Sequence, residues 1–209
     1  MTMNTTLKTI LAQAGIALTL SFTAASHAQT AQGAPDAFIK ATAEDLLNTI
    51  KSDKALLAGD AQRVNTLVGE KILPNVNLAK MTQSAVGRNW SKASPEQQAT
   101  LQKEFRTLLQ RTYGGALSLA KDATLQMRPL RAAADDTDVV VRTNVVVAKG
   151  EPIGVDYRME KVGGSWKVYD LNVGGAWLVG NYQGVFNKEV DAGGIDGLIK
   201  YMQSRNSAK

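Results

Sequence analysis

The side chains that could support catalysis in this chain are carboxylates, lysines, tyrosines and serines. The sequence has no cysteine and a single histidine, His27, at the edge of a segment that we expect to be removed. Thiol nucleophiles, cysteine-bearing zinc sites, Ser-His-Asp triads and imidazole acid–base chemistry are therefore excluded for the mature chain. Paired carboxylates remain, and these could act as acid and base on a glycoside.

Two of the candidate carboxylates, Asp156 and Glu160, alternate with apolar residues along one predicted strand. They share a strand face with Arg158, because side chains two residues apart point the same way. A solvated sheet face with ion pairing is the simplest interpretation of this arrangement.

A third carboxylate, Asp170, follows the apolar positions Trp166 and Val168 of another predicted strand. It breaks their apolar alternation, as a β-bulge or a buried hydrogen-bonding group would. A single carboxylate without an identified partner is weak evidence for catalysis. One alternative left open is a small enzyme on a cone-shaped α+β fold, with Asp156 or Asp170 acting together with Tyr157.

The segment from Gly175 to Asn181 has the glycine spacing of a phosphate-binding loop and follows a predicted strand. Asn181 occupies the position of the lysine that contacts the β and γ phosphates in such loops. Nucleotide binding is therefore not indicated. Glycines that allow a strand to pack closely against a helix are the simpler interpretation.

The N-terminus has the pattern of a secretory signal peptide over residues 1–28. Lys8 precedes an apolar run from Ile10 to Phe22, and Ser26 and Ala28 supply small residues at positions −3 and −1 of a cleavage site. Removing 28 residues leaves 181 of the 209, with 23 basic and 19 acidic residues and a net charge of +4. The alternative is an uncleaved membrane anchor, although the run is short for a bilayer span.

The basic residues are scattered, so the charge pattern does not indicate a nucleic-acid groove. A mildly basic surface could still favour anionic membranes or acidic partners. A mature chain of this length can be stabilised by a hydrophobic core alone, so the absence of disulfides is compatible with export.

Apolar spacing predicts helices in the first half of the chain. One begins at Pro35 in a region that ends at Gly59, a second stops at Pro74, and a third spans Leu78 to Val86. A fourth begins after Ser94, where the Ser-Pro-Glu-Gln sequence has the composition of a capping box with proline at the first helical position. This helix can continue through two glycines to Ala120.

The second half of the chain changes to a period of two, which indicates strands. We predict strands over residues 138–148, 153–160 and 166–171, and an edge strand over 124–132 because of Pro129. Two helices follow, separated by Gly193 and Gly194. The order predicts an α+β fold with N-terminal helices, an antiparallel sheet of about four strands covered on one face, and C-terminal helices.

Two stretches resemble signatures of the MlaC/toluene-tolerance family, and together they span most of the mature chain in the same order. The first is the run 86–98 (VGRNWSKASPEQQ) with three later apolar positions of the same helix. The second consists of the run 166–171 (WKVYDL) and positions in the helices that follow it. The later positions are Phe105, Leu109 and Tyr113 in the first signature, and Gly175, Leu178, Val179, Asn181, Tyr182, Phe186 and 194–198 (GIDGL) in the second.

The resemblance implies a periplasmic phospholipid carrier with a nuclear-transport-factor-like α+β fold that performs no chemistry. It implies a single phospholipid-binding domain over residues 29–204 and a polar tail over 205–209, with no metal and no cofactor other than the lipid cargo. The implied partners are the substrate-binding ring of an inner-membrane ABC transporter and an outer-membrane lipoprotein–porin complex. The chain is expected to be a monomer.

The predicted lipid-binding residues lie on faces expected to point into the interior between sheet and helices. Spacing alone does not separate a lined cavity from a filled core, so a non-catalytic adaptor with a packed interior stays open. Trp177 and Gln183 depart from the family, which often has serine and arginine there. The predicted residues are Phe105, Leu109, Tyr113, Val141, Val145, Val155, Tyr157, Val173, Trp177, Leu178 and Tyr182.

Overall fold

The computed structural model describes residues 33–147 and 150–207, which form an α+β fold. The expected signal peptide, residues 1–28, and the end of the expected tail, residues 208–209, lie outside the described residues. The helices are α1 (Pro35–Ser52), α2 (Lys54–Leu57), α3 (Ala61–Leu67), α4 (Leu78–Val86), α5 (Pro95–Leu119) and α6 (Leu178–Ser207). The strands are β1 (Thr124–Met127), β2 (Asp138–Val146), β3 (Ile153–Val162), β4 (Ser165–Val173) and β5 (Ala176–Trp177).

The predicted helix boundaries around α4 and α5 are confirmed. The side chain of Asn77 accepts a hydrogen bond from the N–H of Lys80 at the start of α4. Ser94 and Gln97 form the expected capping box at α5: the Gln97 N–H donates to Ser94 Oγ at 3.2 Å, and the Ser94 N–H donates to Gln97 Oε1 at 2.9 Å. The α5 helix passes through both glycines, as the sequence allowed.

Replacing Ser94 with alanine is expected to lower the free energy of unfolding by about 1 kcal/mol, because an N–H in the first turn of α5 loses its acceptor. Chemical denaturation measures this loss. Ser91→Ala is a suitable control, since the Ser91 hydroxyl makes only a 3.4 Å contact with the Arg88 carbonyl oxygen. Equal stability of the Ser94 variant and the unchanged protein would contradict the assigned cap.

The sheet has five antiparallel strands in the order β1-β2-β3-β4-β5, rather than about four. The additional strand, β5, has only two residues, which pair with Asn172 and Val173 of β4. A segment this short carries no detectable alternation in the sequence. The edge position of β1 is confirmed, and β1 ends before Pro129.

The two faces of the sheet differ in polarity, as the alternation in β3 predicted. One side carries Val141, Tyr157 and Leu171, which lie opposite one another across β2, β3 and β4, and we call this side the apolar face. The polar face carries Asp156 and Arg158. The β3–β4 register shifts where Met159 pairs with Val168 and Arg158 pairs with Asp170, so Tyr169 is the extra residue of a β-bulge.

Three clusters of apolar side chains make up the core. The sheet cluster joins the apolar face to Ile39 and Phe38 of α1. The helical cluster joins α4, α5 and α6, and an N-terminal cluster joins α1, α2 and α3. Val76 packs against both the sheet cluster and the helical cluster.

The backbone of α6 is non-helical at Gly193 and Gly194, which confirms the predicted break between two C-terminal helices. Gly194 has a φ of 67°, a conformation that residues with a Cβ rarely adopt. The helix continues to Ser207, so residues 205–207 of the expected tail are helical.

Candidate functional site

The apolar face of the sheet changes from buried to exposed along its strands. Val141 and Met159 are buried beneath α1, whereas Val173 and Ile153 expose 42% and 43% of their surface at the other end of the strands. Ala176 of β5 pairs with Val173 and is also exposed. We call Ile153, Val173 and Ala176 the mouth, because they are the uncovered end of an apolar surface that continues into the protein.

Tyr157 lies between the buried and the exposed parts of the apolar face. Its ring packs against the sheet cluster, and burial raises the pKa of its phenol above the ordinary value. The Thr143 hydroxyl on the same face donates to the Val155 carbonyl oxygen at 2.9 Å. This buried polar group is therefore hydrogen-bonded within the sheet.

The predicted lipid-binding residues fall into separate groups in the structure. Those in or against the helical cluster are Phe105, Leu109 and Tyr182. Those on the apolar face are Val141, Val145, Val155, Tyr157 and Val173. Leu178 is half-buried at the start of α6, and Tyr113 is 40% exposed on α5.

Phe105 and Tyr182 are joined by a ring contact in the helical cluster. Their ring centroids are 4.9 Å apart in an edge-to-face arrangement, and Phe105 makes a similar contact with Phe186 at 5.3 Å. Phe105 has no exposed surface. This part of the predicted set is packed against other protein side chains.

Trp177 lies on the polar face of the sheet, and not on the apolar face with the other predicted strand residues. It pairs with Asn172, which places its ring on the polar face. The guanidinium carbon of Arg158 lies 4.0 Å from the ring centroid. Strand β5 was not recognised in the sequence, so the alternation that sets this orientation could not be applied.

Residues of the apolar face that were absent from the predicted set include Ile153 at the mouth and Leu171 opposite Tyr157. Ile153 follows from the alternation identified in β3, whereas Leu171 requires the bulge in β4. Ile153 precedes Val155 by two residues, and the bulge at Tyr169 returns Leu171 to the apolar face.

Asp170 is a buried hydrogen-bonding group next to a bulge, as its sequence position suggested. It is 1% exposed, and its Oδ2 accepts a hydrogen bond from Arg158 Nη1 at 3.0 Å. Its Oδ1 accepts from the backbone N–H groups of Leu171 at 2.8 Å and Val179 at 3.0 Å. The carboxylate therefore fixes the first turn of α6 to β4, where it also complements the helix dipole.

The combination of carboxylate and tyrosine considered for an enzyme is not assembled. Tyr157 lies on the apolar face, whereas Asp156 and Asp170 lie on the polar face. Proton transfer needs groups within hydrogen-bond reach of one substrate atom, and these groups are on opposite sides of the sheet.

A second polar contact joins α4 to the polar face. Lys80 Nζ lies 2.6 Å from Glu160 Oε2 and 3.4 Å from Asp138 Oδ2, so Glu160 forms its ion pair with α4, while Arg158 of the same strand face pairs with Asp170. The same ammonium lies 3.8 Å from the ring centroid of Tyr169, whose hydroxyl donates to Asp138. These groups tie the start of α4 to the sheet.

Two half-buried tyrosines, Tyr169 and Tyr182, predict a loss of stability at high pH. Desolvation raises the pKa of Tyr169 and of Tyr182 from 10.0 to about 12. Because both folded-state pKa values exceed the unfolded value, their contribution to stability is complete below about pH 10 and is lost as the pH rises towards 12. The free energy of unfolding should therefore fall over this range.

A pH titration followed by phenolate absorbance should accordingly show that some tyrosines of the folded protein ionise above pH 10. Tyr182→Phe is expected to remove one of these groups and to make the free energy of unfolding fall less steeply between about pH 10 and 12. An unchanged absorbance titration in this variant would contradict the buried position of the Tyr182 phenol.

A cavity of about 330 Å³ lies between α3 and α5, on the described part of the chain. Its lining combines Val64 and Asn65 with Gln110, Arg111 and glycines, and it includes none of the eleven predicted lipid-binding residues. The lining also includes none of Ile153, Val173 and Ala176. The cavity is therefore distinct from the mouth.

Over residues 33–147 and 150–207, no three His, Cys, Asp or Glu side chains lie close enough to hold a metal ion. Within the same ranges, no helix combines the length and apolar character needed to cross a membrane.

Comparisons with known proteins agree on one family. The model of the family described as "MlaC protein" matches residues 40–204. The chain is 28% identical over 184 residues to the intermembrane phospholipid transport system binding protein MlaC of Haemophilus influenzae, covering 85% of this chain and 84% of that one. It is 27% identical over 142 residues to the toluene tolerance protein ttg2D of Pseudomonas putida, covering 68% and 66%.

A solved structure has the same fold. It is the phospholipid-binding protein from Ralstonia solanacearum in complex with a phospholipid, which is 46% identical to this chain. The two structures superpose with a TM-score of 0.79, over 82% of this chain and 96% of the other.

Proposed function

The chain belongs to the MlaC protein family, and from this premise we propose that it is a phospholipid carrier. It binds a glycerophospholipid with the acyl chains against the apolar face of the sheet and the headgroup outside the mouth. The observation that carries this proposal is the apolar face itself, which is buried at Val141 and open at Ile153 and Val173. A relative 46% identical to this chain is in complex with a phospholipid.

The energetics of such a carrier require no chemical step. Burying about 30 methylenes of two acyl chains is worth on the order of 24 kcal/mol relative to water. A bilayer offers nearly the same free energy, so lipid can exchange between protein and membrane without an energy source in the carrier. We therefore propose that the chain is not an enzyme and needs no cofactor besides its lipid cargo.

We propose that seven of the predicted residues contact the lipid. They are Val145, Val155, Tyr157 and Val173 on the apolar face of the sheet, with Leu109, Tyr113 and Leu178 on the helices. Phe105, Val141 and Tyr182 are proposed as supporting core, because they pack against protein side chains. Trp177 lies on the polar face, so we propose that it affects the bound lipid indirectly.

Transfer of labelled phospholipid between two vesicle populations tests the carrier function. The rate should rise in proportion to protein concentration, because each molecule would carry lipid through water. Retention of an encapsulated dye in both populations serves as the control against vesicle fusion. Lipid transfer that does not respond to added protein would contradict the proposal.

We further propose that the chain is exported to the periplasm, where as a monomer it moves phospholipid between the inner and outer membranes and maintains outer-membrane lipid asymmetry. Its proposed partners are the substrate-binding ring of an inner-membrane ABC transporter and an outer-membrane lipoprotein–porin complex. Residues 29–204 would form its single domain. Protein released by osmotic shock should begin at Gln29, and a membrane-retained chain that still begins at Met1 would contradict export.

A further inference from the structure

Arg158 occupies a fixed position on the polar face, between two partners. Its guanidinium donates to Asp170 at 3.0 Å and lies 4.0 Å from the ring centroid of Trp177. The carboxylate limits where the guanidinium can move, and a cation over an indole face is attracted by the ring electrons. The two contacts therefore fix the Trp177 ring relative to β3.

These contacts meet where the sheet joins the helices. Arg158 is on β3, Asp170 on β4 and Trp177 on β5, and Trp177 is the residue immediately before α6. Asp170 also accepts the backbone N–H of Val179 in the first turn of α6. Three neighbouring strands and a helix are thus connected at one point.

The mouth lies directly behind this point. Ala176 precedes Trp177 in β5 and pairs with the exposed Val173, so it faces the opposite side of the sheet. Strand β5 is paired with β4 at only two positions. The contact between Trp177 and Arg158 adds to this short ladder in holding β5 in place.

We propose that Trp177 and Arg158 form a clamp that holds β5 against the sheet and thereby slows the release of bound phospholipid through the mouth. Both are positioning residues, since they act on the lipid through Ala176 and Val173. This inference rests on the proposed carrier function. It assigns Trp177 a role in the release rate.

The clamp predicts a specific change in kinetics. Trp177→Ser should raise the release rate of a labelled phospholipid about two- to fivefold, the range expected for loss of a partly exposed cation–π contact. Arg158→Gln removes this contact and also the ion pair with Asp170, so it should raise the release rate at least as much. The double variant should release lipid no faster than Arg158→Gln alone, because that variant has already lost the contact with Trp177. Trp177→Phe should restore slow release in part, since it keeps an aromatic face.

Stopped-flow measurement with lipid-loaded protein and acceptor vesicles gives these rates, with denaturation curves recorded in parallel. The matched control is Lys80→Gln, which removes a cation–π contact of similar length, 3.8 Å, on the same face but away from β5. It should leave the release rate unchanged. A release rate that simply follows the loss of stability across all these variants would overturn the clamp.

The outcomes separate the clamp from the carrier function. Normal loading with unchanged release in Trp177→Ser would overturn the clamp and leave the carrier function intact. Failure of the unchanged protein to bind phospholipid would overturn the carrier function, and the clamp with it.

Discussion

Replacing Val173 with glutamate is expected to lower phospholipid loading by at least about tenfold, while the protein stays folded. The Val173 side chain is 42% exposed at the mouth, so the unliganded protein can solvate a carboxylate there. A bound acyl chain would strip water from that carboxylate, and an unpaired charge is costly to desolvate. A penalty of only about 1.4 kcal/mol would account for the tenfold loss.

Val162→Glu is the matched control for this change. Val162 is 46% exposed and lies at the end of β3 that is farthest from the mouth, beside the hairpin to β4. The two variants introduce the same charge on the same sheet at similar exposure. Phospholipid recovered per mole of purified protein should fall for Val173→Glu alone, and equal loading in both variants would argue against lipid passing the mouth.

Replacing Phe105 with alanine is expected to lower the free energy of unfolding by about 3–5 kcal/mol. The ring is wholly buried and makes edge-to-face contacts with Tyr182 and Phe186, so its removal leaves a cavity and ends two aromatic contacts. Chemical denaturation of lipid-free protein measures the loss without the stabilisation that a ligand adds.

Val185→Ala is the control for this change, because Val185 lies next to Phe186 but is 39% exposed. Its effect should stay within about 1 kcal/mol. A loss of stability for Phe105→Ala as small as that of the control would mean that the ring faces an open lipid cavity and not the packed helical cluster.

The sequence was sufficient to predict those features of the fold that depend only on residues close together in the chain. The capping box of Ser94 and Gln97 needs only residues of the same turn, and it forms as predicted. The alternation of β3 separates Tyr157 from Arg158 without knowledge of any partner strand. Asp170 interrupted an apolar pattern, and it is buried with hydrogen-bond partners.

The site was less predictable because it depends on contacts between distant segments. Trp177 belongs to a two-residue strand whose orientation is set by pairing with Asn172. Phe105 and Leu109 have the apolar spacing that either a core or a cavity wall would have. Only the packing of α5 against α6 distinguishes the two, and that packing is tertiary.

Native mass spectrometry of the purified protein tests most directly whether this chain holds a phospholipid in its apolar interior. We predict a species heavier than the polypeptide by the mass of a phospholipid, and the loss of that excess on denaturation with release of the lipid into an organic extract. A single species at the polypeptide mass, together with an extract that contains no phospholipid, would contradict the claim.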